Sequence, residues 1–335
     1  MKKINVNYNF YDDVDDVEYV EGTKLFIGDP DALSETLYEY HHLLWGKREP
    51  LTDLRHPKQK NILKLPVEIS IIKQKEYGLK LPVEISLGAD NFVALYMGKN
   101  KKNGKLVLKY KAMREKDNNA ILHKQKELRP NWETERIKYT IGGSIVYPKF
   151  NGGINQTRGK NKKIADRIDI TLACIKMWYN ANNGEDGGKK KDNPLWDCLN
   201  ILQNKIFFSL FGTGEEGFKN YINFFLFDDF VNKKYEVKDL CNNYAADETK
   251  NDAPVHNEDK YRKPDCAKVI DDNVLGKTNN LPDNAEEYAN LYHNLIWAIK
   301  QRTERIRNFA KDKKLIDETR QAESFEITFK LSPEE

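Results

Sequence analysis

Cysteine is scarce in this sequence: four in 335 residues, Cys174, Cys198, Cys241 and Cys266. No two of them stand at the close spacing of a zinc knuckle or a redox pair, which argues against both and fits reduced thiols in a cytosolic protein. Long hydrophobic runs are missing as well. No apolar stretch nears the roughly 20 residues a membrane helix needs, so no membrane partner is expected. The start of the chain turns at once from Lys2 and Lys3 to Asn7, Asn9 and the acidic group Asp12, Asp13, Asp15 and Asp16. A secretory signal has an apolar core where these residues stand, so the expected address is cytoplasmic. Charge of one sign is not in excess either: 55 basic residues face 52 acidic ones, a net +3. No global field then draws the protein to nucleic acid, and any polyanion contact has to come from a local patch. The six histidines are scattered, and the neighbours His41 and His42 point roughly 100° apart on a helix, so no metal site is expected. No nucleophile elbow is present around any serine.

What the chain does contain is enough large apolar and aromatic side chains, 39% and 11%, to build a core. The patterns predict an α+β protein with an antiparallel sheet region in the N-terminal half and a mostly helical C-terminal half, packed as one unit with insertions over residues 1–335. One helix is expected from Asp29 and Pro30 to Trp45, with Leu33, Leu37, Tyr40 and Leu44 on a single stripe. Short β-branched runs at 67–71, 83–87, 92–97 and 106–110 predict a meander, and 137–147 predicts two short strands about Gly142 and Gly143. Helices are expected at 164–179, 194–211, 218–230 and 284–316, the third apolar nearly all round, with a closing strand at 325–331. Residues 239–280 are polar and weakly patterned, a variable loop. The octapeptide beginning at Leu63 recurs letter for letter at Leu79. Two copies are too few for a solenoid, and the extra one, within 63–86, is expected to be a tolerated strand or loop insertion with no function of its own.

One polar stretch stands out for chemistry, residues 155–169. Gly152, Gly153 and Gly159 flank a loop that feeds a helix, although their spacing matches neither the phosphate-loop nor the dinucleotide fingerprint. Free amides and a helix N-terminus there favour an anion. Asn155, Gln156, Arg158, Lys160 and Arg167 are the candidate ligand-binding residues, with Arg158 offering a planar fork to a phosphate. Asp166 and Asp169 are the candidate acid/base or magnesium-binding carboxylates. The opposing reading is that these arginines and aspartates are an ion-pair scaffold, since structural networks imitate active sites. A second basic run, carrying Arg302, Arg305 and Arg307, could track a nucleic-acid backbone or be a solvated helix face. Together these point to binding of a nucleotide or nucleic-acid phosphate, with phosphoester chemistry as the reaction class to test if there is one. The alternative is a non-enzymatic protein that meets a protein partner. No cofactor is specified by any of these residues.

The run Ile141, Gly142, Gly143, Ser144, Ile145, Val146, Tyr147, Pro148, then Ile154, Asn155, Gln156, Thr157, Arg158, Gly159, then Asp166, Arg167, Ile168, Asp169, Ile170, Thr171 and Leu172 resembles the central signature of a bacterial and phage family catalogued as a domain of unknown function. Tyr40 to Trp45, Tyr221 to Asp228, and Arg302 to Ile306 resemble its early helix, its apolar helix and its closing motif. The resemblance extends over most of residues 5–310. It departs at Ala173, Lys176 and Thr303, and the loop 235–281 is longer here. What it implies is a fold class only, with no activity attached.

Overall fold

The computed structural model of the protein describes residues 3–14, 17–20, 23–26, 30–56, 58, 62–67, 83–92, 97–99, 106–108, 137–158, 167–184, 192–242 and 285–316. Its architecture is α+β. A three-stranded antiparallel sheet is formed by β3 (Leu63–Val67), β4 (Val83–Asn91) and β7 (Ser144–Pro148), in that order. Two small hairpins, β1 (Val17–Val20) with β2 (Thr23–Phe26) and β5 (Met97–Lys99) with β6 (Leu106–Leu108), stand apart from it. The helices are α1 (Pro30–Leu33), α2 (Glu35–Trp45), α3 (Ile154–Thr157), α4 (Ile168–Asn180), α5 (Trp196–Leu199), α6 (Leu202–Ser209), α7 (Gly214–Phe225) and α8 (Ala285–Asp312).

The duplicated octapeptide is not an appendage. Its first copy supplies β3 and its second supplies the start of β4, and the two pair with each other, Leu65 opposite Ile85 and Val67 opposite Val83. Alternation explains why both copies fit: Leu63, Leu65, Ile85 and Leu87 point into the core while Pro66 and Glu84 are exposed. The expected strand at 67–71 is therefore shifted, since β3 occupies Leu63–Val67; its residues 68–71 lie outside the described residues. The expected strands at 92–97 and 106–110 are met only in part, by Met97 and by Leu106–Leu108, with 93–96 and 109–110 outside.

The expected single helix from Asp29 to Trp45 is two. Ser34 leaves helical geometry and caps α2 through its hydroxyl, which accepts from the Leu37 amide at 3.0 Å. Asp13 holds that break in place, accepting from the Ser34 hydroxyl and from the Thr36 amide at 3.0 Å. Only the second of the two strands expected at 137–147 forms. Ile137–Tyr139 and Ile141–Gly143 are 3-10 turns instead.

Helix α7 is not apolar all round: Glu216, Asn220 and Asn223 form an exposed stripe opposite Phe218, Tyr221, Ile222 and Phe225. The helix enclosed by the core is α4, buried without a break from Ile168 to Ile175. Its expected first turn, 164–166, lies outside the described residues, and Arg167 is its N-cap. The helix expected at 194–211 is divided into α5 and α6. The long final helix forms as α8, with Leu291, Leu295, Ile299, Arg302, Ile306 and Ala310 on its buried side. The expected closing strand at 325–331 and nearly all of the loop 239–280 fall outside the described residues.

One continuous core joins both halves. Edge-to-face contacts such as Phe211 with Tyr221 (5.3 Å) and Phe92 with Phe230 (5.4 Å) run through it, each adding about 0.5–1.5 kcal/mol beyond area burial. Every residue of β7 is buried. Successive side chains of this strand go to opposite faces, so Ser144 meets His41 of α2 on one side while Tyr147 meets Tyr221 of α7 on the other.

Candidate functional site

The geometry begins at two glycines. A Cβ on Gly142 would collide with the Thr303 hydroxyl, and one on Gly143 would collide with the Lys138 carbonyl. Their absence lets the turn Ile141–Gly143 lie flat against α8 and present its carbonyls to Arg302. Arg302 Nη1 donates to the oxygens of Ile141 (3.1 Å), Gly142 (2.8 Å) and Ser144 (2.9 Å). Its Nε donates to the Phe225 oxygen at 3.0 Å, a carbonyl left over where α7 stops at the left-handed Leu226. Phe92 and Phe227 cover the guanidinium at 5.0 and 4.7 Å. Arg302 is 0% exposed, and among the described residues no carboxylate pairs with it and no group bonds its Nη2. Burial pushes its pKa down to about 9, with Tyr221, Tyr147 and Asp229 restoring part of the loss.

Two phenols share that neighbourhood. Tyr147 and Tyr221 are 0% exposed and face each other, and among the described residues neither hydroxyl has a hydrogen-bond partner outside that pair. Two other buried tyrosines use theirs: Tyr179 donates to the Phe208 carbonyl and Tyr38 to that of Asp31. Burial pushes the Tyr147 pKa up to about 12, with Arg158 and Arg302 opposing and Asp90 adding. Tyr221 is raised well above its ordinary value by burial and by Tyr147. Directly opposed residues share a face of the sheet, so Gly88 and Asp90 of β4 lie on the same side as Tyr147 and Ile145 of β7.

Part of the predicted segment joins this cluster and part does not. Arg158 is buried, bonded to the Asp90 carboxylate and to the Phe92 carbonyl at 3.3 Å. Asn155 donates through Nδ2 to the Ala89 oxygen at 3.1 Å, leaving a buried Oδ1 with no partner among the described residues. Gln156 is exposed and closes its own turn on the Gly152 amide. Arg167 and Asp169 lie in a different network. Arg167 donates to Asp169 (Nε at 3.1 Å) and to Asp239 (2.9 Å), Asp169 also accepts from the Leu240 amide at 2.9 Å, and Asp239 accepts from the Cys241 amide at 3.0 Å. Burial alone would lower the Arg167 pKa, yet Asp169, Cys241 and Asp239 beside it hold it well above the ordinary value. This clamp ties the chain at 239–241 to the head of α4. Lys160 and Asp166 lie outside the described residues.

The basic run of α8 does not offer three free cations. Arg302 is interior, Arg305 makes two bonds to Asp229 at 2.7 and 3.1 Å, and Arg307 pairs with Glu304 one turn earlier. His41 is also committed. Trp45 Nε1 donates to its Nδ1 at 3.0 Å, so the proton sits on Nε2 and is donated to Ser144 Oγ at 3.1 Å. Burial and the nearby Arg302 push its pKa down to about 3, which keeps it neutral. Among the described residues no three His, Cys, Asp or Glu side chains gather to hold a metal ion.

Of the cluster's centre, Arg302 is among the expected site residues, as a nucleic-acid contact, whereas Tyr147 and Tyr221 are not. Tyr147 and Tyr221 have the local pattern of core aromatics, and a missing hydroxyl partner leaves no trace in sequence. Asp90 is one acidic residue in a strand, and its arginine is 68 positions away.

A model of the family of unknown function DUF6994 matches residues 4–306. The chain belongs to that family. The DUF6994 span runs past both Asp90 and Arg302, so the whole cluster lies inside it. No match is found among curated proteins or among solved structures. Among the described residues of this DUF6994 chain, no helix is long and apolar enough to cross a membrane.

Proposed function

We propose that the protein binds a small phosphate-bearing ligand of the nucleotide class in its interior, at Arg302, Tyr147 and Tyr221, with Asn155 and Arg158 at the rim. The observation that carries this reading is the Arg302 guanidinium, buried without a bonded carboxylate and with an unbonded Nη2, beside two buried phenols that face each other and have no other hydroxyl partner among the described residues. All three groups can donate, and a buried cation without a counter-charge costs several kcal/mol. Water could satisfy the hydrogen bonds but not the charge, whereas a phosphate oxygen does both. The aromatic faces of Phe92 and Phe227 offset part of the charge, on the order of 2 kcal/mol, and leave the donors unmet. Asp90, with 17% of its side chain exposed, and the half-buried Asn155 are the more exposed members of the cluster.

A nucleic-acid polymer is disfavoured as the ligand, because a duplex backbone cannot reach fully buried donors and the outer arginines of α8 are already neutralised. The reading is one of binding. Asp169 commits both carboxylate oxygens to Arg167 and the Leu240 amide, and His41 is held neutral, so neither supplies the base that phosphoester cleavage needs.

Calorimetric titration with inorganic phosphate, with a mononucleotide and with a DNA duplex tests this at two salt concentrations. The expected result is one saturable site for the small ligands and little affinity for the duplex. Tight duplex binding that collapses with salt, without small-ligand binding, would contradict it.

A further inference from the structure

Resting on that reading, the site has a second specificity, set by Asn155. A side-chain amide can face a backbone carbonyl only with its NH2 end, because two oxygens would repel. The bond from Asn155 Nδ2 to the Ala89 oxygen at 3.1 Å therefore decides the orientation and leaves Oδ1 as the free end. That oxygen is buried and has no partner among the described residues. The Asn155 bond to Ala89 stands next to the Arg158–Asp90 pair, whose charges act on Tyr147.

The two sides are chemically opposite. Arg302 Nη2 and the phenols of Tyr147 and Tyr221 offer protons, and Asn155 Oδ1 can only accept one. We infer that the ligand is bifunctional, an anion with an N–H donor attached a short distance from it, and that Asn155 selects for this donor. Free phosphate satisfies one half of the site. An aminoalkyl phosphate or a nucleotide with an amino-bearing base satisfies both. The bond to Ala89 fixes how the amide is turned, and neither the local 155–158 turn nor the Arg158–Asp90 pair uses the Asn155 oxygen.

The test measures dissociation constants of inorganic phosphate, phosphoethanolamine and adenosine monophosphate for the wild-type chain and for Asn155→Ala, by calorimetry. Wild type is expected to prefer at least one of the two donor-bearing ligands over phosphate by roughly tenfold, the worth of one hydrogen bond to a buried acceptor. Which of the two is preferred separates an aminoalkyl phosphate from a nucleotide as the source. In Asn155→Ala that preference is expected to vanish, whatever the change in phosphate affinity itself. Because the readout is a ratio between ligands on one variant, a general loss of stability cancels. Phosphate binding with no preference in wild type, or a preference that survives Asn155→Ala, would overturn the role of Asn155 and leave the phosphate site standing. No binding by any of the three would overturn both.

Discussion

Arg167 and Arg302 are both buried guanidiniums, and they are buried in opposite ways. Arg167 has Asp169 and Asp239 against it, so its charge is cancelled inside the protein and its hydrogen bonds organise the chain at 239–241. Arg302 has four carbonyls and two phenyl faces, which satisfy geometry without supplying negative charge. The first network is neutralised by its own carboxylates, whereas among the described residues no carboxylate is bonded to Arg302, and the proposed phosphate would supply that charge. Burial of an arginine therefore does not distinguish scaffold from site; the count of opposing charges does.

Four outcomes would sharpen or break that contrast. The largest effect is expected for Arg167→Met, which strands two buried carboxylates and should cost about 3–5 kcal/mol in urea unfolding, with no recovery on adding phosphate. A loss below about 1 kcal/mol would show that the clamp is not closed. Arg302→Lys keeps the charge but cannot span four carbonyls with a fork. It should cost about 1–3 kcal/mol and abolish phosphate binding. Intact phosphate affinity in this variant would remove Arg302 from the site.

The third outcome is a pH effect on the Arg302 side alone. His41 has a folded pKa near 3 against an ordinary 6.5, so between those values the unfolded chain takes up a proton that the folded chain refuses. Stability from this group is complete above pH 6.5 and is lost as pH falls toward 3, by up to about 1.4 kcal/mol per pH unit. Subtracting the pH profile of His41→Gln from that of wild type isolates the slope. An unchanged difference across this range would mean that His41 titrates normally.

Much of the fold is legible from period alone, because the groups concerned are close in sequence. Ile85 and Leu87 fall in the expected run 83–87, and the recurrence of Leu291, Leu295, Ile299 and Ile306 marks α8, whereas Leu63 and Leu65 of β3 precede the expected run 67–71. What the sequence conceals depends on distant partners. The break at Ser34 is held by Asp13, 21 positions earlier, and no window around residue 34 contains that information. The pairing of the two octapeptide copies is likewise a tertiary event, and letter identity reads equally well as an insertion. For the site, Asn155 and Arg158 are visible as polar residues in a glycine-flanked turn. Their separation from Arg167 and Asp169 is not, because it is decided by Asp90 and Asp239, which come from elsewhere in the chain. Arg302 is hidden among solvent-facing basic neighbours whose composition it shares.

The smallest stability change is expected where the functional change is greatest. Replacing both phenols together, Tyr147→Phe with Tyr221→Phe, removes two buried hydroxyls that have no protein partner outside the pair. Thermal melts of this double variant and of wild type, each with and without saturating phosphate, test the account most directly. The account predicts a ligand-free variant as stable as wild type or more stable by about 1 kcal/mol, and loss of the stabilisation by phosphate that wild type shows. A variant that melts well below wild type, or that keeps the full phosphate shift, would contradict it.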